Sequence, residues 1–274
     1  MARTRFQNAG VELFTDQDSI EHLANCGGVL SYALVAARDA AVAGATPLAL
    51  STVVEEVMRQ RGATPVLLGL EVPGVARFPS AAAVCVNEIA VNGVPVERVL
   101  RHGDVVTIDA ACELNGYITD AAVSLVIGCE KDELLDASLA MLLAMIESVR
   151  PGMRISRLSA AALACAESFG FDVADEALAH GVGRSLHAAP AVFWDSVEPD
   201  ENAVLIPGMV LAAEPVAVAS EGGRPGKIRR CRTERDGWSR RAPKRAAFEE
   251  RTILVTEDGC RVLTPIPAGG PLGA

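Results

Sequence analysis

Asp109 and Asp120 lie on the two arms of a predicted β-hairpin whose turn is Asn115-Gly116. Asn-Gly between two alternating runs of β-branched residues is typical of a two-residue hairpin turn. Such a turn places Asp109 opposite Ala122, on the same face as Asp120, with roughly 7–8 Å between the Cα atoms of the two aspartates. Two like charges in a buried sheet are costly unless a cation lies between them. The hairpin therefore predicts half of a metal site.

Further ligand candidates lie in the second half of the chain. His180 and His187 flank a Gly-x-Gly turn in the segment AHGVGRSLH, where glycines let the backbone run close to a ligand. The two histidines are either ligands or ordinary core and surface residues. Glu214 directly follows an apolar strand, and a carboxylate that ends a buried strand needs a partner. Near the last strand, alternation leaves open whether Glu249 or Glu250 points inward.

The elements that would position these residues repeat along the chain. Each half is predicted to have two helices with a glycine between them and another glycine 18 residues later. In the first half the helices run over about 20–42 and from after Gly44 up to Gly62. In the second half they run over about 133–149 and from after Gly152 up to Gly170. Each half then has a strand with an acid six residues after a glycine, Asp109 after Gly103 and Glu214 after Gly208. We interpret this repeat as two related α+β halves whose sheets meet and whose acids share one central site. Chance similarity in an alanine-rich chain is the alternative.

Composition and charge restrict the class of protein. A chain of 274 residues with 50% hydrophobic content can bury a large core, and its net charge of −10 argues against nucleic acid as a partner. No apolar run is long enough for a membrane span, and the first ten residues lack the apolar core of a signal peptide. The seven cysteines show no Cys-x-x-Cys spacing, which fits a reducing compartment. We therefore expect a cytoplasmic protein with no membrane partner.

The segment from Lys227 to Arg245 is an exception to the acidic balance, because lysine and arginine are concentrated there. We interpret this basic segment as a solvated loop. An anionic partner is the alternative.

Five separated segments carry a family resemblance. They are GDVVTIDAACELNGYITDAAVSLVIG, AHGVGRSLH, PGMVLAAEP, DGWS and FEERTILVTEDGCRVLT. Their order and spacing resemble the methionine aminopeptidases, pita-bread metallopeptidases, in the short bacterial type I form, from about Asp16 to Thr264. The resemblance implies an α+β pita-bread fold with two pseudo-twofold related halves around a dimetal site. The expected organisation is one catalytic domain at 11–264, with halves of roughly 11–129 and 130–264 and flexible ends at 1–10 and 265–274.

The resemblance also implies a set of five metal ligands, namely Asp109, Asp120, His180, Glu214 and Glu250. It thereby selects Glu250 over Glu249. Four carboxylates and one imidazole suit two divalent ions, with Mn²⁺, Fe²⁺ or Co²⁺ preferred over Zn²⁺. Such ions are expected to share a bridging hydroxide that attacks the scissile amide. By the same resemblance Glu214 also transfers the proton and His187 hydrogen-bonds the substrate amide, so both are predicted catalytic residues.

The implied activity is removal of an N-terminal residue, with methionine preferred, from peptides or nascent proteins. The predicted substrate-binding residues depart from the family pattern, although Trp238 is kept. The usual active-site histidine is Asn92, the usual phenylalanine is Leu186, the usual cysteine is Ala83, and segment 69–80, expected at the pocket mouth, lacks tyrosine. Asparagine cannot carry a proton charge near neutral pH. Two alternatives therefore stay open: a repurposed pita-bread hydrolase acting on another small amide or amino-acid-derived substrate, and a non-catalytic binding homologue.

Overall fold

A computed structural model describes residues 11–176, 178–194, 203–220, 222 and 225–266. The first half contains α1 Gln17–Ala40, α2 Pro47–Gln60, β1 Thr64–Pro65, β2 Ala83–Val86, β3 Ile89–Val91, β4 Val105–Leu114 and β5 Tyr117–Val126. The second half begins with α3 Glu133–Ser148, α4 Ser156–Phe169, β6 Asp172–Ala174, β7 Ala179–Gly181, β8 Ala188–Val192 and β9 Val210–Ala213. It ends with β10 Ala217–Val218, β11 Ile228–Arg229, β12 Arg232–Thr233, β13 Arg240–Arg241, β14 Ala246–Ala247, β15 Arg251–Val255 and β16 Cys260–Val262.

The four helices confirm the predicted helix pairs, and local chemistry explains several of their ends. Asp16 accepts a hydrogen bond from Ser19 N at 2.8 Å, which caps α1. Thr46 caps α2, and Pro47 suits the first helical turn because it has no N–H to satisfy. Gly170 follows α4 in the left-handed conformation, the common glycine C-cap.

The hairpin β4–β5 has the predicted register. Leu114 pairs with Tyr117, and Asp109 lies opposite Ala122. Asn115 and Gly116 both have positive φ, 55° and 79°, as a type I′ turn requires. The two predicted ligands of this hairpin therefore lie on one face.

Two sheets meet at the centre of the molecule. In the first, β1 and β2 pair with β4, and β5 pairs with β4 as well; the second has the order β16-β15-β9-β7-β8. Ala122 of β5 exchanges backbone hydrogen bonds with Glu250 at 3.2 and 3.3 Å. Next to this bridge, Asp120 N donates to Thr252 Oγ1 at 2.9 Å, and that hydroxyl donates to Asp120 O at 2.7 Å. The junction brings the two acid-bearing strands together.

Each helix pair covers its own sheet. The side chains that α1 and α2 bury, such as Leu34 and Val54, pack with Val84 and Ile108 of the first sheet. The side chains that α3 and α4 bury, such as Leu142, pack with residues of β7, β9 and β15 in the second sheet. This arrangement confirms the predicted α+β class, with the helices outside and the sheet junction inside. None of the helices in the described part of the chain is both long and apolar enough to cross a membrane.

The structure describes only a small part of the predicted flexible ends. Of the predicted flexible ends, 1–10 and 265–274, residues 1–10 and 267–274 lie outside the described residues. Ile266 is buried in the core of the first half, and its carbonyl accepts a hydrogen bond from Arg251.

The prediction of a solvated loop for the basic segment was wrong for several of its arginines. Arg229 lies in β11 and its Nε is 2.6 Å from Asp172 Oδ2. Arg240 and Arg241 form β13 and contact Glu176 and Glu234. A local count of charges missed the pairs of Arg229 and Arg240, because Asp172 and Glu176 lie more than 50 residues earlier in the chain.

Candidate metal centre

Three of the five predicted ligands form a compact buried group. Asp120 comes from β5, His180 from β7, and Glu250 immediately precedes β15. Their donor atoms all lie within 4.8 Å of one another. The sheet junction thus joins residues that are 60 and 70 positions apart in sequence, which fits the predicted central site.

The other two predicted ligands border this group. Glu214 directly follows β9, which pairs with β7, and its Oε1 is 3.5 Å from His180 Nε2. Asp120 Oδ2 is 3.7 Å from the same nitrogen. Asp109 lies on the shared face of the hairpin, and its charge raises the pKa of Asp120. All five predicted ligands therefore converge, four as carboxylates and one as imidazole.

The carboxyl groups are hard to ionise in the absence of a cation. Burial raises the pKa of Asp109 to about 7. Burial, followed by the charges of neighbouring carboxylates, raises the pKa values of Asp120, Glu214 and Glu250 well above their ordinary range. Clustered carboxylates without compensating positive charge are unfavourable in this way, and a bound cation would remove the penalty.

Unpaired oxygen atoms test whether the group fits a metal ion. Asp120 Oδ1 and Glu250 Oε1 are buried and have no hydrogen-bond partner among the residues that the structure describes. Buried carboxylate oxygens are nearly always satisfied, so atoms without a donor in a folded protein call for a ligand. The nearby Arg251 directs Nη2 to Glu249 instead, at 2.9 Å. Hard oxygen donors with one imidazole suit divalent first-row ions, and the residues present fit such ions.

The backbone selects the tautomer of His180. Its Nδ1 lies 3.0 Å from Gly181 O, and because a carbonyl only accepts, Nδ1 carries the proton. Nε2 is then the free acceptor that faces Asp120 and Glu214. Burial and the neighbouring His187 lower the pKa of His180 to about 3, which keeps the ring neutral as a ligand must be. A Cβ on Gly181 would meet Ala189 O at 2.2 Å, so this strand needs glycine.

His187 lies beside this imidazole at the edge of the group. The two rings meet edge to face with centroids 4.7 Å apart. His187 is exposed as a residue, while desolvation of its ring by the surrounding protein lowers its pKa. A neutral, accessible imidazole next to the predicted ligands can donate a hydrogen bond to a substrate.

The predicted substrate-binding residues lie on several different elements. Ala83 of β2 is directly paired with Asp109, and Leu186 is buried one residue before His187. Asn92 follows β3 with φ 55°, in the left-handed region. Trp238 lies in the turn before β13.

Phe78 lies in segment 69–80, which the sequence analysis expects at the pocket mouth, and is a further candidate pocket residue. Its side chain is buried and meets the Trp238 ring edge to face, with centroids 5.3 Å apart. Trp238 Nε1 donates to Ala76 O at 2.7 Å, which fixes segment 69–80 against the tryptophan. The sequence placed this segment at the pocket mouth, but no local signal reveals a contact across some 160 residues.

The structure shows which of Glu249 and Glu250 points inward, a choice that alternation left open. Its Oε1 accepts from Ser124 N at 2.8 Å and its Oε2 from Arg251, on the side away from the metal group. Glu250 points into the group. Adjacent residues point to opposite faces, so only one of the two acids can reach the centre.

The chain is similar to known metallopeptidases both in sequence and in fold. The model of metallopeptidase family M24 matches residues 21–257. Methionine aminopeptidase 1 of Bacillus subtilis is 33% identical over 222 residues, which are 79% of this chain and 84% of that protein. The crystal structure of methionine aminopeptidase from Thermotoga maritima has a TM-score of 0.82 and 31% identity, covering 93% of this chain and 99% of that one.

A prolidase from Pyrococcus furiosus has the same fold, with a TM-score of 0.71 at 21% identity, over 93% of this chain and 66% of that one. The fold shared by these neighbours is the pita-bread fold. The match of the family model to most of the chain, together with the close relatives, shows that this protein belongs to metallopeptidase family M24.

Proposed function

We propose that this M24 protein is a dinuclear metal-dependent aminopeptidase that removes N-terminal methionine from peptides or nascent proteins. The observation that carries the proposal is the cluster of four carboxylates around one neutral imidazole, in which Asp120, His180 and Glu250 are buried together and two carboxylate oxygens have no partner among the described residues. Relatives that are 29–33% identical over most of their length and bear the name methionine aminopeptidase support the substrate.

The proposed ligands are Asp109, Asp120, His180, Glu214 and Glu250. Mn²⁺, Fe²⁺ or Co²⁺ suit this oxygen-rich set better than Zn²⁺ does. When bound, two divalent ions supply an activated water as nucleophile and positive charge for the scissile carbonyl.

The chain's own residues supply the remaining steps. Glu214 is the proposed proton carrier, because its carboxylate reaches His180 and is 18% exposed, more than its neighbours Asp120 and His180 at 8% and 5%. His187 is placed to donate a hydrogen bond to the substrate amide as charge develops on it, an interaction that strengthens in the transition state. The aromatic pair of Phe78 and Trp238 offers an apolar and polarisable surface for a thioether.

The site of action is proposed to be the cytoplasm, where thiols stay reduced. All seven cysteines are unpaired in the structure, and four of them, Cys26, Cys85, Cys112 and Cys231, are buried.

One observation favours a second candidate. Asn92 stands where the resemblance leads us to expect a histidine, and an amide cannot act as an acid or base. A hydrolase that keeps the metal centre but acts on another small amide or amino-acid-derived substrate would tolerate this change.

The test is release of methionine from Met-Ala-Ser by protein supplied with Mn²⁺ or Co²⁺, compared with chelator-treated protein. We expect metal-dependent release, and none from Asp109→Asn, because a neutral amide is a poor ligand for a hard ion. Asp39→Asn makes the same chemical change at an exposed acid and is the matched control. Metal-dependent hydrolysis of other small amides without methionine release would favour the second candidate, and full turnover by Asp109→Asn would refute the proposed ligand set.

A further inference from the structure

Glu176 and Arg240 form an ion pair beside the candidate active site. Arg240 Nε donates to Glu176 Oε1 at 2.8 Å, and the side chains are 22% and 19% exposed. The guanidinium also donates to Thr233 Oγ1 and to Cys231 O. Three acceptors thus fix its orientation, which distinguishes it from a mobile surface arginine.

One end of the pair belongs to the segment that carries the proposed pocket residues. Arg240 comes two residues after Trp238 and begins β13. There it pairs with Val91 of β3, and Asn92 follows directly with positive φ. A displacement of Arg240 would therefore move both the tryptophan turn and the β3 end.

The other end of the pair belongs to the segment that carries a proposed metal ligand. Glu176 lies between β6 and β7, four residues before His180. Its charge is one of those that raise the pKa of Glu214, so the carboxylate lies near the metal group. The adjacent Asp175 accepts a hydrogen bond from Cys231 N at 2.7 Å, which adds a second link between the same two segments.

Replacing either partner of the Glu176–Arg240 ion pair is expected to be costly because of the charge left behind. Both groups are largely withdrawn from water, and removal of either partner leaves the other as an unpaired charge in a partly buried position. Glu176 without Arg240 would also add uncompensated negative charge beside carboxylates that are already hard to ionise.

We propose that Glu176 and Arg240 are positioning residues that hold the paired segments bearing Asn92 and Trp238 against the segment bearing His180, and thereby set the enzyme's discrimination among N-terminal side chains. In this role the pair itself contacts no reacting atom. The selectivity part of the inference rests on the proposed function.

The first experiment measures selectivity in the full-length, metal-supplied enzyme. The ratio of kcat/KM for Met-Ala-Ser to that for Leu-Ala-Ser is determined for Arg240→Gln and Glu176→Gln. We expect this ratio to fall by roughly tenfold, the usual size of discrimination between side chains of similar volume. Loss of folded protein or of metal lowers both rates equally and leaves the ratio unchanged, so the ratio reports positioning only.

Arg241→Gln is the matched control. Arg241 is the next residue of β13 and is also ion-paired, but with Glu234 and Glu88 on the more exposed side. Its ratio is expected to stay within about twofold of wild type, because surface pairs contribute little. An unchanged ratio in both Arg240→Gln and Glu176→Gln would overturn the selectivity role.

The second experiment does not depend on peptidase activity. The chain has two tryptophans, so Trp194→Phe leaves Trp238 as the only one. In that background we expect Arg240→Gln, but not Arg241→Gln, to increase quenching of Trp238 fluorescence by acrylamide by half or more. If the wild type releases no methionine, the proposed function fails, and quenching alone decides the positioning role: an increase supports it and unchanged quenching overturns it.

Discussion

Replacement of Asp120 by asparagine is expected to have opposite effects on the metal-free and metal-bound protein. In the metal-free protein, Asp120 is a buried carboxyl among other carboxyls, with Oδ1 unsatisfied and a raised pKa. Asp120→Asn removes this charge and should stabilise the fold. With metal, the same change removes a proposed ligand and should reduce the stabilisation that the ion provides.

The magnitudes are large enough to measure. The new amide N–H groups can donate to the neighbouring carboxylates, and a hydrogen bond to a charged group contributes about 1.5–3 kcal/mol. For a domain of this size each kcal/mol changes Tm by roughly 2–4 °C, so metal-free Asp120→Asn should melt about 3–12 °C above wild type at pH 8. An ion at 100 times its Kd stabilises wild type by about 2.7 kcal/mol, and a variant with tenfold to hundredfold weaker binding gains only about 0.4–1.4 kcal/mol at the same concentration.

Thermal melts with chelator and with Mn²⁺ or Co²⁺ measure both effects in one series. Asp39→Asn, at a side chain that is 58% exposed, is the control and should change both melting temperatures by little. If metal-free Asp120→Asn melts below wild type and the metal raises its melting temperature as much as that of wild type, Asp120 is not part of a carboxylate cluster that binds a cation.

Three further predictions follow from the same centre. The metal-free protein should lose stability as the pH rises from about 5 to 8. Asp109 and its neighbours have folded pKa values above their unfolded ones, with that of Asp109 at about 7, so their stabilising contribution is complete below the unfolded pKa and is lost as the pH rises through the folded pKa. A melting temperature in chelator that rises with pH would contradict this. His187→Ala should lower kcat by roughly 10²–10³ while metal content by elemental analysis stays at the wild-type value, and a normal kcat would show that the imidazole does not contact the reacting amide. Asn92→His should raise methionine release several-fold, since histidine also tolerates the positive φ at this position, and an unchanged rate would favour the repurposed hydrolase.

The hairpin register could be predicted from sequence because turn chemistry is local. Asn115-Gly116 permits a two-residue turn, and the pairing of Asp109 with Ala122 then follows by counting along two strands. The helix pairs were equally local, since their glycine ends and capping residues lie within a few positions of the helices. The repeat correctly indicated two α+β halves.

Sequence patterns could not supply contacts between distant segments. The basic segment appeared solvated because its acidic partners Asp172 and Glu176 precede it by more than 50 residues. The contact between the rings of Phe78 and Trp238 was not predicted, because the two residues lie far apart in the chain. Packing at long sequence separation determines such partners, and no local propensity encodes them.

The sequence by itself therefore determined the folding units of this protein and the acids available to a metal. Tertiary structure decided which of those acids meet: the bridge between Ala122 and Glu250 directs Glu250 into the centre and Glu249 away from it. It also decided that two oxygens at the centre have no hydrogen-bond partner in the described part of the chain. The physical reason is that a carboxylate's burial, neighbours and ionisation depend on where separate strands come together, whereas its place on its own strand depends only on the residues beside it.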